Sequence, residues 1–148
     1  MNGARSGVGR RPVKTGGVCR YFFAYGTLRR GARKDLLDFV GSQAKLLGRA
    51  TAPGRLYDLG DYPGMLDPVS GEDRVLGDLY ELDDAESSLE RIDEYEGCEP
   101  NDRGAFRRCR RTVRLEGLGQ VEAWTYLYQG SVSERQRIES GDYFTRRE

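Results

Sequence analysis

Apolar residues recur along the chain with two different periods, and each period predicts its own kind of element. Residues 21–25 (YFFAY) form an unbroken apolar, aromatic run, the pattern of a strand buried on both faces. The run stops at Gly26, and Thr27-Leu28-Arg29-Arg30-Gly31 follows as a loop bracketed by two glycines. Residues 34–40 set leucines and a phenylalanine at helical spacing and predict a short helix. Residues 45–50 and 55–59 read as strands, with Tyr62-Pro63-Gly64 as a turn. Residues 75–82 (VLGDLYEL) read as another strand, in which Gly77 marks a bulge or a close backbone approach. Residues 107–115 and 121–128 predict a long hairpin turning over 117–120, with Trp124, Tyr126 and Tyr128 alternating onto one face as core packing. About six strands with two helices among them indicate an α+β fold rather than a doubly wound one.

The clearest amphipathic segment is 84–96. Asp83 supplies a candidate N-cap with Glu86 three residues on, a capping-box pattern, and Gly97 supplies the stop. At about 100° per residue, Ala85, Leu89 and Ile92 fall together as an apolar stripe. Glu86, Glu90, Asp93 and Glu94 fall away from its centre, and Asp93, Glu94 and Glu99 read as a solvated face. Glu96, seven residues after Leu89 and four after Ile92, returns to the stripe. A carboxyl in that position is pushed toward neutrality by burial and by the negative end of the helix dipole, which suits a general base. The competing reading is a frayed last turn that lets Glu96 reach solvent beside Gly97.

The junction at Tyr25-Gly26-Thr27-Leu28 is a second candidate site. A buried strand that stops at a glycine turns backbone N–H groups outward at the sheet's end, where they can hold a carboxylate or a developing oxyanion. The same dipeptide also serves simple turn geometry. The phosphate-binding pattern GxxxxGK[ST] is absent.

Composition narrows the chemistry further. The 148 residues contain no histidine, so neither a Ser-His-Asp nor a Cys-His pair can form, and no zinc site can use imidazole. Proton transfer falls to a carboxylate, cysteine, lysine or tyrosine with a shifted pKa, or to no residue at all. Cys19, Cys98 and Cys109 are odd in number and lack CxxC spacing, which indicates neither a disulfide framework nor a zinc knuckle and reads as ordinary thiols of a reducing cytoplasm. No apolar run approaches the ~18 residues of a membrane span, and no secretory signal opens the chain. The 24 basic and 24 acidic residues cancel in sum but are segregated. Residues 1–34 carry nine bases and no acid, 58–102 sixteen acids against Arg74 and Arg91, and 103–114 six arginines and no acid. The arginine run raises a nucleic-acid reading, which the acidic middle weakens by offering internal partners. Residues 1–19, rich in Gly, Arg, Ser and Pro, read as a basic disordered tail, leaving 20–148 as a single domain.

YFFAYGTLRRG at 21–31, VLGDLYEL at 75–82, IDEYEG at 92–97, AWTYLY at 123–128 and SGDY at 140–143 occur in an order and spacing that resembles the γ-glutamylcyclotransferase-like family, also called AIG2-like. The resemblance spans about residues 21–143. It implies a small mixed, mostly antiparallel β-barrel flanked by short helices. It also implies a cofactor-independent enzyme of lyase or acyltransferase type that releases 5-oxoproline from a γ-glutamyl amine, peptide or metabolite. Glu96 aligns with the family's catalytic glutamate, and Tyr25, Gly26, Thr27 and Leu28 align with its substrate loop; Tyr143 is a further candidate for closing the pocket. Arg33-Lys34 replaces the Asn-His that often follows the loop, Phe106 stands where a tyrosine is frequent, and 98–105 is an insertion. These departures bear on substrate choice. The partner implied is a small γ-glutamyl molecule, with no nucleic acid and no membrane, for a cytoplasmic monomer or weak dimer. The alternative is a catalytically silent small-molecule-binding or interaction domain of the same fold.

Overall fold

The computed structural model describes residues 19–26, 29, 43–96, 104–117 and 119–145, apart from the side chains of Tyr95 and Glu96. Five strands close into a barrel in the order β1 (Tyr21–Ala24), β5 (Arg74–Leu82), β2 (Ala44–Pro53), β6 (Phe106–Leu115) and β7 (Gly119–Tyr128). Four of the pairings are antiparallel. The fifth, Phe22 against Trp124, is parallel and completes the ring. The fold is therefore α+β, built on a mixed and mostly antiparallel barrel.

β1 shows why its sequence carries no polar position. Phe23 points into the barrel with Leu79, Val113 and Leu127, while Phe22 points outward into a second cluster with Leu82, Leu89 and Ile92. That second cluster is the seat of α1 (Ala85–Glu96), whose buried face carries Ala85, Leu89 and Ile92. The barrel thus has an inner core and an outer, helix-covered one, and β1 needs an apolar residue for each.

β2 is longer than its pattern predicts because it serves two partners. It pairs with β5 along its length and with β6 at Ala50 and Thr51, and a register shift between Leu46 and Gly48 bends it from one to the other. Gly48 sits at φ 149°, which side-chain-bearing residues rarely adopt. Gly77 marks a close approach: a Cβ there would lie 2.8 Å from the Phe23 ring.

Two local expectations are corrected. Tyr62-Pro63-Gly64 is not a turn. Pro63 and Gly64 open β4 (Pro63–Leu66), which pairs with β3 (Arg55–Asp58), and the turn lies one step earlier, where the Leu59 N–H donates to the Tyr62 carbonyl at 2.9 Å. Proline is tolerated there because the first residue of a strand can do without a ladder N–H. The helix cap is Asp84, not Asp83: the Asp84 carboxylate accepts the Ser87 N–H at 3.2 Å. Asp83 lies in the turn just past β5, its N–H donating to the Gln43 carbonyl at 2.8 Å. The hairpin of β6 and β7 turns near Gly117, as predicted. The expected helix at 34–40 and the stop at Gly97 lie outside the described residues, as does the expected tail up to residue 18. Cys19 itself is seated on the barrel, with its carbonyl accepting the Trp124 indole N–H at 3.2 Å, and burial pushes its thiol up. Cys109 is buried in the inner core, and Cys98 is not among the described residues. No helix among those residues is long and apolar enough to cross a membrane.

Candidate active site at the end of β1

The chain leaves the barrel at Tyr25. Its ring joins the inner core, and its hydroxyl is committed to the framework: it donates to the Tyr126 carbonyl at 2.6 Å and accepts the Met65 N–H at 3.2 Å. One residue on, Gly26 lies against Pro63 so closely that a Cβ would come 2.6 Å from the proline Cγ. Only glycine lets the backbone pass there. The Gly26 carbonyl accepts the Arg29 N–H at 3.0 Å. Thr27 and Leu28, the other two predicted loop residues, lie outside the described residues.

Tyr143 comes to the same region from the far end of the chain. It is buried in the inner core with Tyr25, and its hydroxyl donates to the Asp61 carbonyl at 3.4 Å, in the turn that precedes Pro63. Tyr62, in that turn, meets Phe106 edge-on at 5.8 Å, and Phe106 meets Tyr128 at 5.5 Å. Phe106 therefore stands between two phenol rings.

Glu96 is the last residue of α1; its side chain is not described. What holds that last turn is Asp93, whose Oδ1 accepts the Arg108 Nε–H at 2.8 Å and the Tyr126 hydroxyl in a short bond. Arg108 in turn lies over the Trp124 ring at 4.4 Å. Tyr126 is thus a hinge between the two candidate halves: its carbonyl holds the Tyr25 hydroxyl, and its own hydroxyl holds Asp93. Trp124, Tyr126 and Tyr128 do pack on the helix-covered core, but Tyr126 also carries this link.

Asp93 corrects the sequence reading, which assigned it to a solvated face. It stands four residues after Leu89, on the flank of the apolar stripe, and that spacing was the available signal. Arg29 was also missed; it read as a loop residue among the nine bases of the acid-free stretch 1–34, yet it is fully buried and paired with Asp142 at 2.7 Å. Nothing in its neighbourhood in the sequence announces this.

Three of the arginines of β6 are answered by carboxylates. Arg108 pairs with Asp93, Arg110 with Glu122, and Arg111 grips Asp67 through two hydrogen bonds at 2.9 and 3.0 Å. The Arg111 guanidinium holds the Asp67 carboxyl below the usual carboxylate range and is itself raised by it. A groove of about 290 Å³ opens beside this pair, with Arg55, Arg107 and Tyr128 in its wall; neither Tyr25, Gly26 nor Tyr143 lines it. Among the described residues, no group of three or more His, Cys, Asp or Glu is placed to hold a metal ion.

Comparison with known sequences matches the family described as "gamma-glutamyl cyclotransferase, AIG2-like" over residues 22–145. The chain belongs to this family. Solved structures of similar fold agree. YkqA from Bacillus subtilis is 20% identical with a TM-score of 0.64 over 85% of this chain, which spans 40% of that protein. An uncharacterized protein from Pyrococcus horikoshii is 27% identical with a TM-score of 0.58, covering 84% of this chain and 89% of its own. An AIG2-like protein from Mus musculus is 24% identical with a TM-score of 0.61, covering 79% and 81%. No curated protein sequence matches. The matched stretch of this γ-glutamylcyclotransferase-like chain takes in the Tyr25–Leu28 motif, Glu96 and Tyr143.

Proposed function

We propose that the protein cyclises the γ-glutamyl group of an amine, peptide or metabolite, releasing 5-oxoproline and the free amine. The family match over 22–145, which contains both the Tyr-Gly-Thr-Leu motif and Glu96 in order, carries this reading. The link from Tyr25 through Tyr126 to Asp93, one helical turn before Glu96, supports it by joining the strand end to the end of α1.

In this reading the α-amine of the γ-glutamyl group attacks its own γ-carbonyl carbon. The nucleophile is intramolecular, so holding the chain curled supplies a high effective concentration. The amine starts as an ammonium and must lose a proton before it can attack. Glu96, as carboxylate, takes that proton, and the new C–N bond forms a tetrahedral oxyanion. Glu96, now a carboxylic acid, returns the proton to the leaving nitrogen as the old C–N bond breaks. A second proton passes the same way from the ring nitrogen through Glu96 to the departing amine, which leaves as an ammonium. Two protons thus leave one nitrogen, two reach the other, and the reaction balances without a cofactor. Backbone N–H groups around Gly26, Thr27 and Leu28 hold either the substrate α-carboxylate or the oxyanion. Tyr25 serves through its framework bonds, and Tyr143 through the wall it forms beside Asp61.

The test is a panel of γ-glutamyl compounds (a dipeptide, an ε-lysine isopeptide, a polyamine conjugate and glutathione) assayed for 5-oxoproline. Turnover of at least one is expected, with Glu96→Gln folded and inactive. A Glu96→Gln variant that turns over normally refutes the assignment, and silence across the panel returns the chain to a binding role.

A further inference from the structure

Arg29 brings a guanidinium charge into the interior, where its side chain is 2% exposed. Such a charge is tolerated in an interior only when opposite charges and hydrogen bonds surround it. Here they come from two distant parts of the chain. Nη1 donates to Asp142 Oδ1 at 2.7 Å, and Nε, which finds no hydrogen-bond acceptor among the described residues, stands 3.9 Å from Asp78 Oδ2 on β5. The guanidinium carbon lies 4.0 Å from the centre of the Phe144 ring.

The segment it grips is itself well anchored. The Gly141 carbonyl accepts the Leu76 N–H at 2.7 Å, and Asp142 Oδ1 also accepts the Phe144 N–H at 3.0 Å. Tyr143 lies between these two fastenings. On the other side, the Arg29 N–H is bonded to the Gly26 carbonyl at 3.0 Å. One residue therefore holds both Gly26, where the substrate motif begins, and the segment that carries Tyr143.

We propose that Arg29 is a positioning residue: its pair with Asp142 keeps Gly26 and Tyr143 in register, so substrate affinity depends on an ion pair that never touches substrate. The proposal rests on the γ-glutamyl reading of the site. Sheet pairing already secures β1 up to Ala24, and Gly141 secures the later segment on β5. The Arg29–Asp142 bond adds a polar connection beside the core contacts that Tyr25 and Tyr143 already make.

Three variants of the full chain test this: Asp142→Asn, Arg29→Lys, and Phe144→Ala, whose ring is 46% exposed and leaves no cavity. KM and kcat are measured on a γ-glutamyl compound that the wild type turns over, and amide exchange is followed residue by residue. Asp142→Asn should raise KM about tenfold with kcat within about twofold, a loss of ground-state binding. Arg29→Lys should do the same, because a lysine cannot reproduce the guanidinium fork. Phe144→Ala should shift KM the same way by about threefold. The Arg29 amide should exchange about tenfold faster in Asp142→Asn while β2 and β5 amides are unchanged. Unchanged KM in all folded variants, a fall in kcat alone, or faster exchange spread through the barrel overturns the proposal. If Asp142→Asn does not fold, the other two variants decide. If the wild type turns over nothing, the cyclisation reading fails, and the exchange result alone decides whether Arg29 holds the two segments together.

Discussion

Tyr126→Phe removes a single oxygen from the interior, and the loss can be worked from the contacts that oxygen makes. The ring stays, with its edge-to-face contact with Phe22 at 5.9 Å. What goes is a hydroxyl on a residue 2% exposed, donating to a carboxylate oxygen that also takes Arg108 Nε at 2.8 Å. The Asp93 and Arg108 side chains are 24% and 27% exposed, so solvent screens them only in part. A hydrogen bond to a charged group in such surroundings contributes roughly 1.5–3 kcal/mol. We take the lower end, about 1.5 kcal/mol, because Asp93 keeps its arginine. Asp93→Ala removes the shared acceptor of the Tyr126 hydroxyl and the Arg108 Nε–H at once, so about 2–4 kcal/mol is expected. At about 3 °C per kcal/mol for a chain of this size, Tyr126→Phe should lower the melting midpoint by roughly 5 °C. Urea titrations of both single variants and the double variant close the cycle, and a coupling of about 1–2 kcal/mol is expected. An additive cycle, or a Tyr126→Phe loss below about 0.5 kcal/mol, would mean that this contact does not tie α1 to β7.

Gly26→Ala places a methyl 2.6 Å from Pro63 Cγ, closer than packed atoms tolerate. Either β4 or the strand end must move, so a stability loss of about 1–3 kcal/mol with weaker substrate binding is expected; melting and KM measurements check both. The acid limb of stability should follow two carboxylates held below the usual range. For Asp67 the cause is the Arg111 hydrogen bond, and for Asp73 the backbone N–H groups of Ser70 and Val69. A depressed folded-state value means that the contribution is complete above the unfolded pKa of about 4 and is lost as pH falls through the folded value. Melting midpoints should therefore hold level from neutrality down to about pH 5 and fall below about pH 4. The gap between wild type and a doubly substituted Asp67→Asn, Asp73→Asn variant should narrow over that fall. A gap that stays constant from pH 7 to pH 3 would show that neither carboxylate is held as described.

Most of the barrel was legible from local pattern, because burial on one face or two writes a period into the sequence. An unbroken YFFA can only be a strand with two apolar neighbours, and the structure supplies them as the inner core and α1. Ala85, Leu89 and Ile92 recur at helical spacing because one face of that helix meets the barrel. The site motifs were legible as an ordered set through family resemblance, and the family match covers them. What local pattern does not hold is the identity of a distant partner. Pro63 and Gly64 carry turn chemistry, yet become strand because β3 offers them a ladder. Asp93 reads as solvated until β6 and β7 bring Arg108 and Tyr126 against it. Arg29 reads as a loop residue in an acid-free stretch, and its carboxylate lies 113 residues away. Whether a charge faces water or a partner depends on what the fold places beside it. Periodicity reports how deeply a residue is buried, while tertiary structure alone decides what it is buried with.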